Sequence, residues 1–209
     1  MKVYGIKGKN TAQDEALKAL TDASIDLVVL EGIAGSGKTL LALAAGLEQV
    51  IESKQYKEIM FTRAPVAVGD DLGFLPGDVN EKMLPWCGSL LDNMEVLTNE
   101  LSIEKTMEKV RILAMQHMRG RSLNQRYLII DEVQNISTQQ LKVLLTRAGE
   151  NTKVVCLGDV SQIDNKKLTK DNNALAILTK YAGVVEFIKI VHLPQSERSR
   201  LCAWAAESL

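Results

Sequence analysis

The sequence predicts an α/β fold in which one parallel β-sheet is sandwiched between α-helices, within a single domain spanning residues 1–209. Apolar runs alternate with helical patterns along the chain, as in sheets built from strand–helix–strand units. The apolar runs are hydrophobic at consecutive positions, which is typical of strands that are covered on both faces. The 209 residues, 46% of them hydrophobic, suffice for one sizeable core.

The elements follow from local patterns. The predicted strands are DLVVLEG at 26–32, KEIMFTR at 57–63, RILAM at 111–115, YLIID at 127–131, KVVCLGD at 153–159 and VVEFIKI at 184–190. The predicted helices cover about 11–23, 39–52, 81–110 with an interruption at Pro85, 137–149, 174–181 and 196–208. For the helix at 137–149, Ser137 is the candidate N-cap and Gly149 the candidate terminator. A loop rich in Gly, Pro and Asp is predicted at 63–80.

Charge and composition exclude several classes of protein. The chain has 25 basic and 26 acidic residues, and the net charge of -1 gives no reason to expect indiscriminate polyanion binding. No stretch approaches the roughly 20 apolar residues that a membrane span requires, and the first ten residues lack the apolar run of a secretory signal. Cys87, Cys156 and Cys202 form no CxxC pair. We therefore expect a cytoplasmic protein without a membrane partner.

A phosphate-binding loop is predicted where the first strand meets the second helix. Residues 32–39 read GIAGSGKT, a full match to G-x-x-x-x-G-K-[ST] between a strand and a helix. Glycines allow successive N–H groups to turn toward phosphate oxygens, and the helix start adds the positive end of its dipole. Lys38 would reach the β- and γ-phosphates, and Thr39 would place its hydroxyl on Mg²⁺. The predicted nucleotide-binding residues of this segment are Gly32, Ala34, Gly35, Ser36, Gly37, Lys38, Thr39 and Leu40. The alternative is a glycine-rich helix entry that binds no ligand.

A second acidic element ends the strand YLIID. Asp131 at this strand tip, facing the phosphate-binding loop, can hold magnesium through water. The adjacent Glu132 can orient and deprotonate the water that attacks the γ-phosphate. An exposed acidic pair at a strand end is the alternative. The sequence therefore predicts ATP hydrolysis assisted by Mg²⁺.

A candidate γ-phosphate sensor follows a third strand. Residues 156–162 read CLGDVSQ, so Gln162 comes four residues after Gly158. A neutral amide at this place can bond a γ-phosphate oxygen or the attacking water. Alone the motif is weak, because Gly-Asp turns are common, and its distance from DEVQ at 131–134 strengthens it.

In this order, GIAGSGKT, DEVQ and GDVSQID resemble the superfamily 1 helicase core. The segments TRAPVAVGDDLGFLPGDVNEKMLPW at 62–86, MRGRSL at 118–123 and YLIIDEVQNISTQQLKVLLTRAGENTKVVCLGDVSQID at 127–164 are similar to the PhoH family of phosphate-starvation-inducible ATPases. The resemblance runs from about Gln13 to Ala205. It implies a RecA-like fold, Mg-ATP binding and ATPase activity linked to RNA or single-stranded nucleic acid in some relatives.

The resemblance also assigns individual residues. Gln13 matches the glutamine that reads adenine in helicase-like relatives. Arg63, Arg147 and Arg198 lie at family arginine positions and compete for the role of arginine finger. Since one lobe is a slow ATPase without an arginine from a neighbour, a head-to-tail ring is expected, and the resemblance favours a homo-hexamer. Arg147 at a helix end has an alternative role, which is to neutralise the helix dipole.

The chain departs from the family pattern in three ways. Arg63-Ala64-Pro65 stands where members usually have Arg-Pro-Ala, and Ile33 replaces a common proline. No carboxylate cluster of a PIN ribonuclease domain precedes the phosphate-binding loop, so no nuclease activity is expected. Short members of the family are frequent in bacteriophages, which favours a viral origin.

Two groups of basic residues are candidates for contact with nucleic acid, with a solvated basic face as the alternative. They are Arg111, Arg119, Arg121 and Arg126, and Lys166, Lys167 and Lys170, all expected on the nucleotide side of the sheet. Trp86 could stack on a base or pack under the loop. A motor or remodeller on RNA or single-stranded DNA is the leading function. An ATP-gated assembly switch or protein remodeller is the second, and a small-molecule kinase is poorly supported.

Overall fold

The computed structural model describes residues 1–64, 88–98, 102–118, 120–198 and 201. Within these ranges the predicted α/β class is confirmed. The strands are β1 (Lys2–Val3), β2 (Ile6–Lys7), β3 (Leu27–Gly32), β4 (Glu58–Arg63), β5 (Val110–Ile112), β6 (Arg126–Asp131), β7 (Lys153–Gly158) and β8 (Ile188–Leu193). The α-helices are α1 (Thr11–Thr21), α2 (Lys38–Leu47), α3 (Gly88–Leu97), α4 (Ile103–Met107), α5 (Thr138–Leu145) and α6 (Ala174–Thr179).

The main sheet is parallel, with the strand order β5-β4-β6-β7-β3-β8 in the described part of the chain. Strand β7 lies between β3, which leads into the phosphate-binding loop, and β6, which ends in Asp131. Strands β4 and β6 pair along their whole length, so that Arg63 lies opposite Asp131. Because parallel strands end at the same edge, the residues that follow β3, β4, β6 and β7 meet there.

Helices cover both faces of this sheet. Alternate strand residues such as Val28 and Phe61 pack with α1, α2 and α3 in one hydrophobic cluster. The residues between them, such as Val29 and Ile130, pack with α5 and α6 in a second cluster on the other face. The consecutive apolar residues of the strands therefore serve two cores, as the sequence pattern predicted.

Several boundaries differ from the predicted ones, and the strand predicted at 111–115 is shorter, running from Val110 to Ile112. The last predicted strand, at 184–190, instead runs from Ile188 to Leu193, and residues 181–187 form turns in which Val184 is 70% exposed. The helix predicted at 137–149 has the expected N-cap, Ser137, but ends at Leu145. Gly149 does not terminate it: the Gly149 N–H donates to the carbonyl of Leu123 at 2.8 Å, and a Cβ would lie 1.8 Å from Asn124 Oδ1. A glycine stands at position 149 because the chain there passes too close to Asn124 to leave room for a side chain.

The structure adds two features that periodicity did not indicate. Residues Tyr4 and Gly5, both with positive φ, connect β1 and β2 in a small antiparallel hairpin. The helix predicted at 39–52 is α-helical only to Leu47 and continues as a π-helix over Glu48–Glu52. The Tyr4 N–H donates to the Glu48 carboxylate at 2.8 Å, which fastens the hairpin to this π-helix.

Some predicted features lie outside the described residues. They are the loop from Pro65 to Asn80, the interruption at Pro85, Trp86, Arg119 and all but a few residues of the helix at 196–208. Among the helices that the structure does describe, none combines the length and apolarity that crossing a bilayer would demand.

Candidate nucleotide-binding site

The phosphate-binding loop connects the end of β3 at Gly32 to the start of α2 at Lys38. Gly35 and Gly37 have φ values of +77° and +90°, a left-handed conformation that other residues rarely adopt. Gly37 is the N-cap residue of α2 and supplies no side-chain hydrogen bond to the helix start. The first N–H groups of α2 therefore remain available to an anion, and the helix dipole favours negative charge at this position.

A segment near the C-terminal end packs against the same loop. The Glu197 N–H donates to the Gly35 carbonyl at 3.0 Å, and a Cβ at Gly35 would lie 2.7 Å from Ser196 Oγ and 3.0 Å from the Arg198 side chain. The Glu197 carboxylate accepts a hydrogen bond from Asn10 at the start of α1, at 2.6 Å. Glycine at position 35 thus serves both the left-handed turn and this close approach.

The Lys38 side chain folds back onto the phosphate-binding loop that precedes it. Its ammonium donates to the carbonyls of Gly32 at 2.6 Å and Ile33 at 3.0 Å. Burial lowers the pKa of Lys38 from its ordinary value, and the carboxylates of Asp159, Glu132 and Asp131, in that order, act against this shift. The Lys38 ammonium thus feels attraction from these three carboxylates and repulsion from the Arg198 guanidinium.

The two carboxylates predicted at the end of β6 are both at the site. Asp131 is only 5% exposed. Burial, with repulsion from Glu132 as the next cause, raises the pKa of Asp131 to about 6. Glu132 has a left-handed backbone, with φ of 56°, and its N–H donates to Asp131 Oδ1 at 3.1 Å. This sharp turn points consecutive acidic side chains toward the same edge of the sheet.

The Glu132 carboxylate is held from two sides. The guanidinium of Arg63, at the end of β4, lies 3.0 Å from Oε1. The side-chain amide of Gln134 donates to Oε2 at 2.6 Å. Charge-assisted hydrogen bonds of this kind fix a carboxylate more firmly than neutral ones do.

These groups surround one cavity of about 570 Å³. Arg63 lines it, together with eleven of the predicted nucleotide, metal and catalytic residues: Gln13, Ala34, Gly35, Gly37, Lys38, Thr39, Leu40, Asp131, Glu132, Gln162 and Arg198. Gly32 instead lines an adjoining cavity of about 170 Å³ with Asp159. Ser36 is buried beneath the loop, at 1% exposure. Gln162 is exposed at the cavity wall.

Gln13 contacts the loop as well as the cavity. Its amide nitrogen donates to the Ser36 carbonyl at 2.9 Å, and its amide oxygen accepts from the Lys9 N–H at 2.9 Å. Each end of the amide has a second bonding position, which is what adenine recognition would use. Gln13 therefore ties α1 to the phosphate-binding loop, and base recognition remains a prediction.

Arg147 lies away from this cavity. It follows α5, and its carbonyl accepts from the N–H of Leu123, which precedes β6, at 2.8 Å. Arg147 is therefore at the amino-terminal edge of the sheet, opposite the phosphate-binding loop. Arg63 and Arg198, by contrast, line the cavity of their own chain.

The expectation that both basic groups lie on the nucleotide side was wrong for Arg111 and Arg126 of the first group. Arg111 and Arg126 form ion pairs with Glu58 at 3.0 and 2.8 Å, at the start of β4 and hence at the edge remote from the cavity. Strand direction was the missing information, because Arg126 begins β6 and does not end it. The second group, Lys166, Lys167 and Lys170, is exposed on the segment that follows β7 at the cavity edge.

Sequence reasoning missed some residues of the site. Gln134 was part of the DEVQ motif but received no role, although it is fully buried beside Glu132. The hairpin residues Gly5 and Ile6 and the α3 residues Ser89 and Asn93 also line the cavity. No local pattern connects these residues with phosphate binding, because tertiary packing brings them there.

Known proteins are similar to this chain over most of its length. The family described as PhoH-like protein matches residues 5–208. Protein PhoH2 of Bacillus subtilis (strain 168) is 42% identical over 213 residues, covering 99% of this chain and 48% of that protein. A PhoH-like protein of the same organism is 36% identical over 194 residues, covering 92% of this chain and 59% of its own length. The chain thus spans about half the length of the curated relatives it matches.

The fold also has a counterpart among solved structures. The large terminase of bacteriophage HK97 superposes with a TM-score of 0.59 at 14% identity, covering 97% of this chain and 44% of the terminase. At that identity the similarity concerns the fold alone.

Proposed function

The chain belongs to the PhoH-like family, and on that premise we propose that it is an Mg²⁺-dependent ATPase that assembles as a homo-oligomeric ring and acts on RNA or single-stranded nucleic acid. The P-loop NTPase fold and family are the established part. One observation carries the proposal: the phosphate-binding loop and the Asp131–Glu132 pair face a single cavity at the carboxyl edge of the sheet.

The loop and Lys38 would bind the triphosphate. The left-handed glycines at 35 and 37 leave backbone N–H groups facing the cavity, and α2 contributes its positive end. Lys38 would exchange its bonds to the Gly32 and Ile33 carbonyls for phosphate oxygens. The exchange replaces two neutral acceptors by charged ones, which favours binding.

Thr39 and Asp131 are suited to hold Mg²⁺. Both line the cavity, and a hydroxyl with a carboxylate is the oxygen donor set that magnesium prefers. The raised pKa of Asp131, about 6, reflects burial and a second carboxylate nearby, a pairing that a cation would stabilise. When bound, Mg²⁺ supplies charge neutralisation at the β- and γ-phosphate oxygens.

Glu132 would serve as the general base. In the proposed step the water oxygen bonds to the γ-phosphorus, the bond from that phosphorus to the bridging oxygen breaks, and the water proton passes to the Glu132 carboxylate. Arg63 and Gln134 hold the two carboxylate oxygens, which limits the orientations Glu132 can adopt. Gln162 at the cavity wall is placed to contact the γ-phosphate or the water.

The three candidate finger arginines lie at two opposite edges of the sheet. Arg63 and Arg198 line the cavity of their own chain and can act on its own phosphates. Arg147, at the opposite edge, can reach a nucleotide only in a neighbouring copy. A head-to-tail interface brings one copy's amino edge to the next copy's carboxyl edge, and such an interface forms a ring when the rotation between successive copies closes. This arrangement supports a ring in which Arg147 is the finger, with a hexamer as the number that we propose.

The exposed lysines at 166, 167 and 170 are the proposed contact with nucleic acid. They lie on the segment after β7 that also carries Gln162, so a bound phosphate backbone would lie close to the proposed sensor. Phosphate contacts of lysine are largely independent of sequence and weaken with salt. We therefore expect binding to a strand without strong sequence preference.

The test is phosphate release from Mg-ATP with and without single-stranded RNA or DNA. Turnover that a single strand accelerates, with the acceleration lost at high salt, supports the proposal. Turnover with a flat response to both nucleic acids would instead indicate an ATP-gated assembly switch. Absence of any turnover with all additions would contradict the proposed ATPase.

A further inference from the structure

Gln134 is fully buried, and its side-chain amide makes three hydrogen bonds to residues of the site. Its amide nitrogen donates to Glu132 Oε2 at 2.6 Å and to the Gln162 carbonyl at 2.9 Å. Its amide oxygen accepts from the Asp159 N–H at 3.2 Å. One side chain therefore connects the carboxylate after β6 with both ends of the turn after β7.

The neighbouring Asn135 fastens the next part of the same segment. Its side-chain oxygen accepts from the N–H groups of Asp164 at 2.8 Å and Asn165 at 3.3 Å. Its carbonyl accepts from the Asn165 amide at 3.3 Å. Asn165 in turn accepts from the Lys167 N–H at 3.1 Å. Hydrogen bonds thus lead from Lys167 through Asn165 to Asn135, the residue next to Gln134 in the chain.

Gly158 supports the same assignment. A Cβ at this position would lie 2.9 Å from Gln134 Oε1 and 2.8 Å from the Leu175 side chain, although Gly158 has no positive φ. The absence of a side chain is therefore required by packing, with the Gln134 amide as one of the two groups that need the space. Gly158 and Gln134 therefore pack together as one structural unit.

We propose that Gln134 is a positioning residue that couples the lysine loop, residues 159–170, to the orientation of the Glu132 carboxylate. The inference rests on the proposed function, since it assumes that Glu132 is the base and that the lysine loop contacts a strand. When a strand binds the exposed lysines, displacement of the loop backbone at Gln162 and Asn165 changes the bonds of Gln134. Glu132 then moves with them.

A purely structural role for Gln134 makes a different prediction. Burying an amide with all its partners satisfied stabilises the fold, and removing it leaves the Asp159 N–H and the Gln162 carbonyl unpaired. A structural role would therefore lower stability and leave the rate per folded molecule unchanged. A positioning role lowers kcat while leaving nucleotide affinity unchanged.

The first test compares Gln134→Leu with Gln139→Leu. Gln139 is exposed on α5, so the same chemical change there is the matched control. For Gln134→Leu we expect kcat to fall by about tenfold or more, because a mispositioned general base loses part of its roughly 10²–10⁴-fold contribution. The dissociation constant of a fluorescent ATP analogue should stay within about twofold, since the hydrogen bonds of Gln134 go to Glu132, Asp159 and Gln162 and none goes to the phosphate-binding loop. An unchanged kcat, or equal losses of kcat and affinity, would overturn the assignment.

A second variant acts on the other end of the connection and avoids the buried core. Asn165 is half-buried, and Asn165→Ala removes the side chain that joins Lys167 to Asn135. We expect a labelled single strand still to bind through the exposed lysines, and we expect a clear loss of its acceleration of turnover. Full acceleration in this variant would overturn the coupling even if Gln134→Leu failed to fold.

Wild-type protein separates this inference from the proposed function. Wild-type turnover that a strand accelerates, with both variants behaving like the wild type, would leave the proposed function standing and refute the role of Gln134. Wild-type turnover that no strand accelerates would refute the coupling and the nucleic-acid part of the proposal together.

Discussion

The Arg63 guanidinium lies 3.0 Å from Glu132 Oε1, joining the carboxyl ends of β4 and β6. The pairing follows from the strand register, in which Arg63 is opposite Asp131 and the Ala64 N–H donates to the Asp131 carbonyl at 3.0 Å. Arg63, one of the three candidates for an arginine finger acting on a neighbouring copy, thus contacts the proposed base of its own chain. Its position favours a role in orienting Glu132.

Replacing Arg63 tests that role. For Arg63→Gln we expect kcat for ATP to fall roughly tenfold to a hundredfold, because one charge-assisted bond to Glu132 is lost. ATP affinity should change much less. Arg111→Gln is the matched control, since Arg111 pairs with Glu58 at the other edge of the sheet. Steady-state phosphate release gives kcat and KM, and a control that loses as much activity as Arg63→Gln would contradict the assignment.

Lys38 is the second target. Lys38→Ala removes the cation that faces the phosphate-binding loop and should weaken binding of a fluorescent ATP analogue by about a hundredfold or abolish it. Lys142→Ala, an exposed lysine on α5, should bind as the wild type does. Titration by fluorescence anisotropy measures both. Normal affinity in Lys38→Ala would show that the nucleotide binds elsewhere.

Arg147 tests the ring. If a neighbour supplies Arg147, Arg147→Ala should lower turnover by about 10³-fold or more. Mixing this variant with Lys38→Ala should restore part of the rate, because each Lys38→Ala copy still offers Arg147 to an intact cavity. The mass of the assembly with and without Mg-ATP is measured alongside. A monomer under both conditions, or mixtures with no recovered activity, would exclude the finger from a neighbour.

The buried Lys153 predicts a rise in stability at alkaline pH. Burial lowers the pKa of Lys153 to about 8, while its ammonium donates to the carbonyls of Asp22 and Ile25. Between that value and the ordinary pKa of 10.5, the folded protein holds fewer protons at this site than the unfolded chain. The contribution of Lys153 to the free energy of unfolding therefore increases with pH, by about 1–2 kcal/mol between about pH 8 and 9.5. The buried Cys156 thiol, whose pKa burial raises from 9.0 to about 12, offsets part of this rise because the unfolded chain loses that proton first.

Urea denaturation across this range measures the rise, and Lys153→Met should flatten it. Lys18→Met, at an exposed position on α1, should keep the wild-type slope. The range ends below pH 10 because burial raises the pKa of Tyr56 to about 12, which favours the unfolded chain once free tyrosine begins to ionise. A Lys153→Met variant with the same pH slope as the wild type would contradict the account of Lys153.

The sequence was sufficient for features that short strings encode. The phosphate-binding loop needs glycines, a lysine and a hydroxyl at fixed spacing between a strand and a helix, and the structure has the strand end at Gly32 and the helix begin at Lys38. Asp131 and Glu132 could be placed beside it because parallel strands end at a common edge. Apolar runs likewise predicted both cores.

Other features depend on contacts that no local pattern contains. The Arg63–Glu132 ion pair requires β4 and β6 to be neighbours, and composition does not reveal strand order. In the sequence Gln134 is a single polar residue, two positions after Glu132. Only its three hydrogen-bond partners show that it connects β6 with the turn after β7. The strand predicted at 184–190 was displaced because Val184 and Phe187, although apolar, are exposed at a turn.

The most direct measurement uses Glu132→Gln with Mg-ATP, beside Glu186→Gln at an exposed position as the control. The variant keeps the shape and hydrogen-bonding capacity of residue 132 while removing the base. We predict that it retains ATP with wild-type affinity and releases phosphate at a rate reduced by about 10²-fold or more. Wild-type turnover by Glu132→Gln, or a wild-type protein that binds no ATP, would contradict the account.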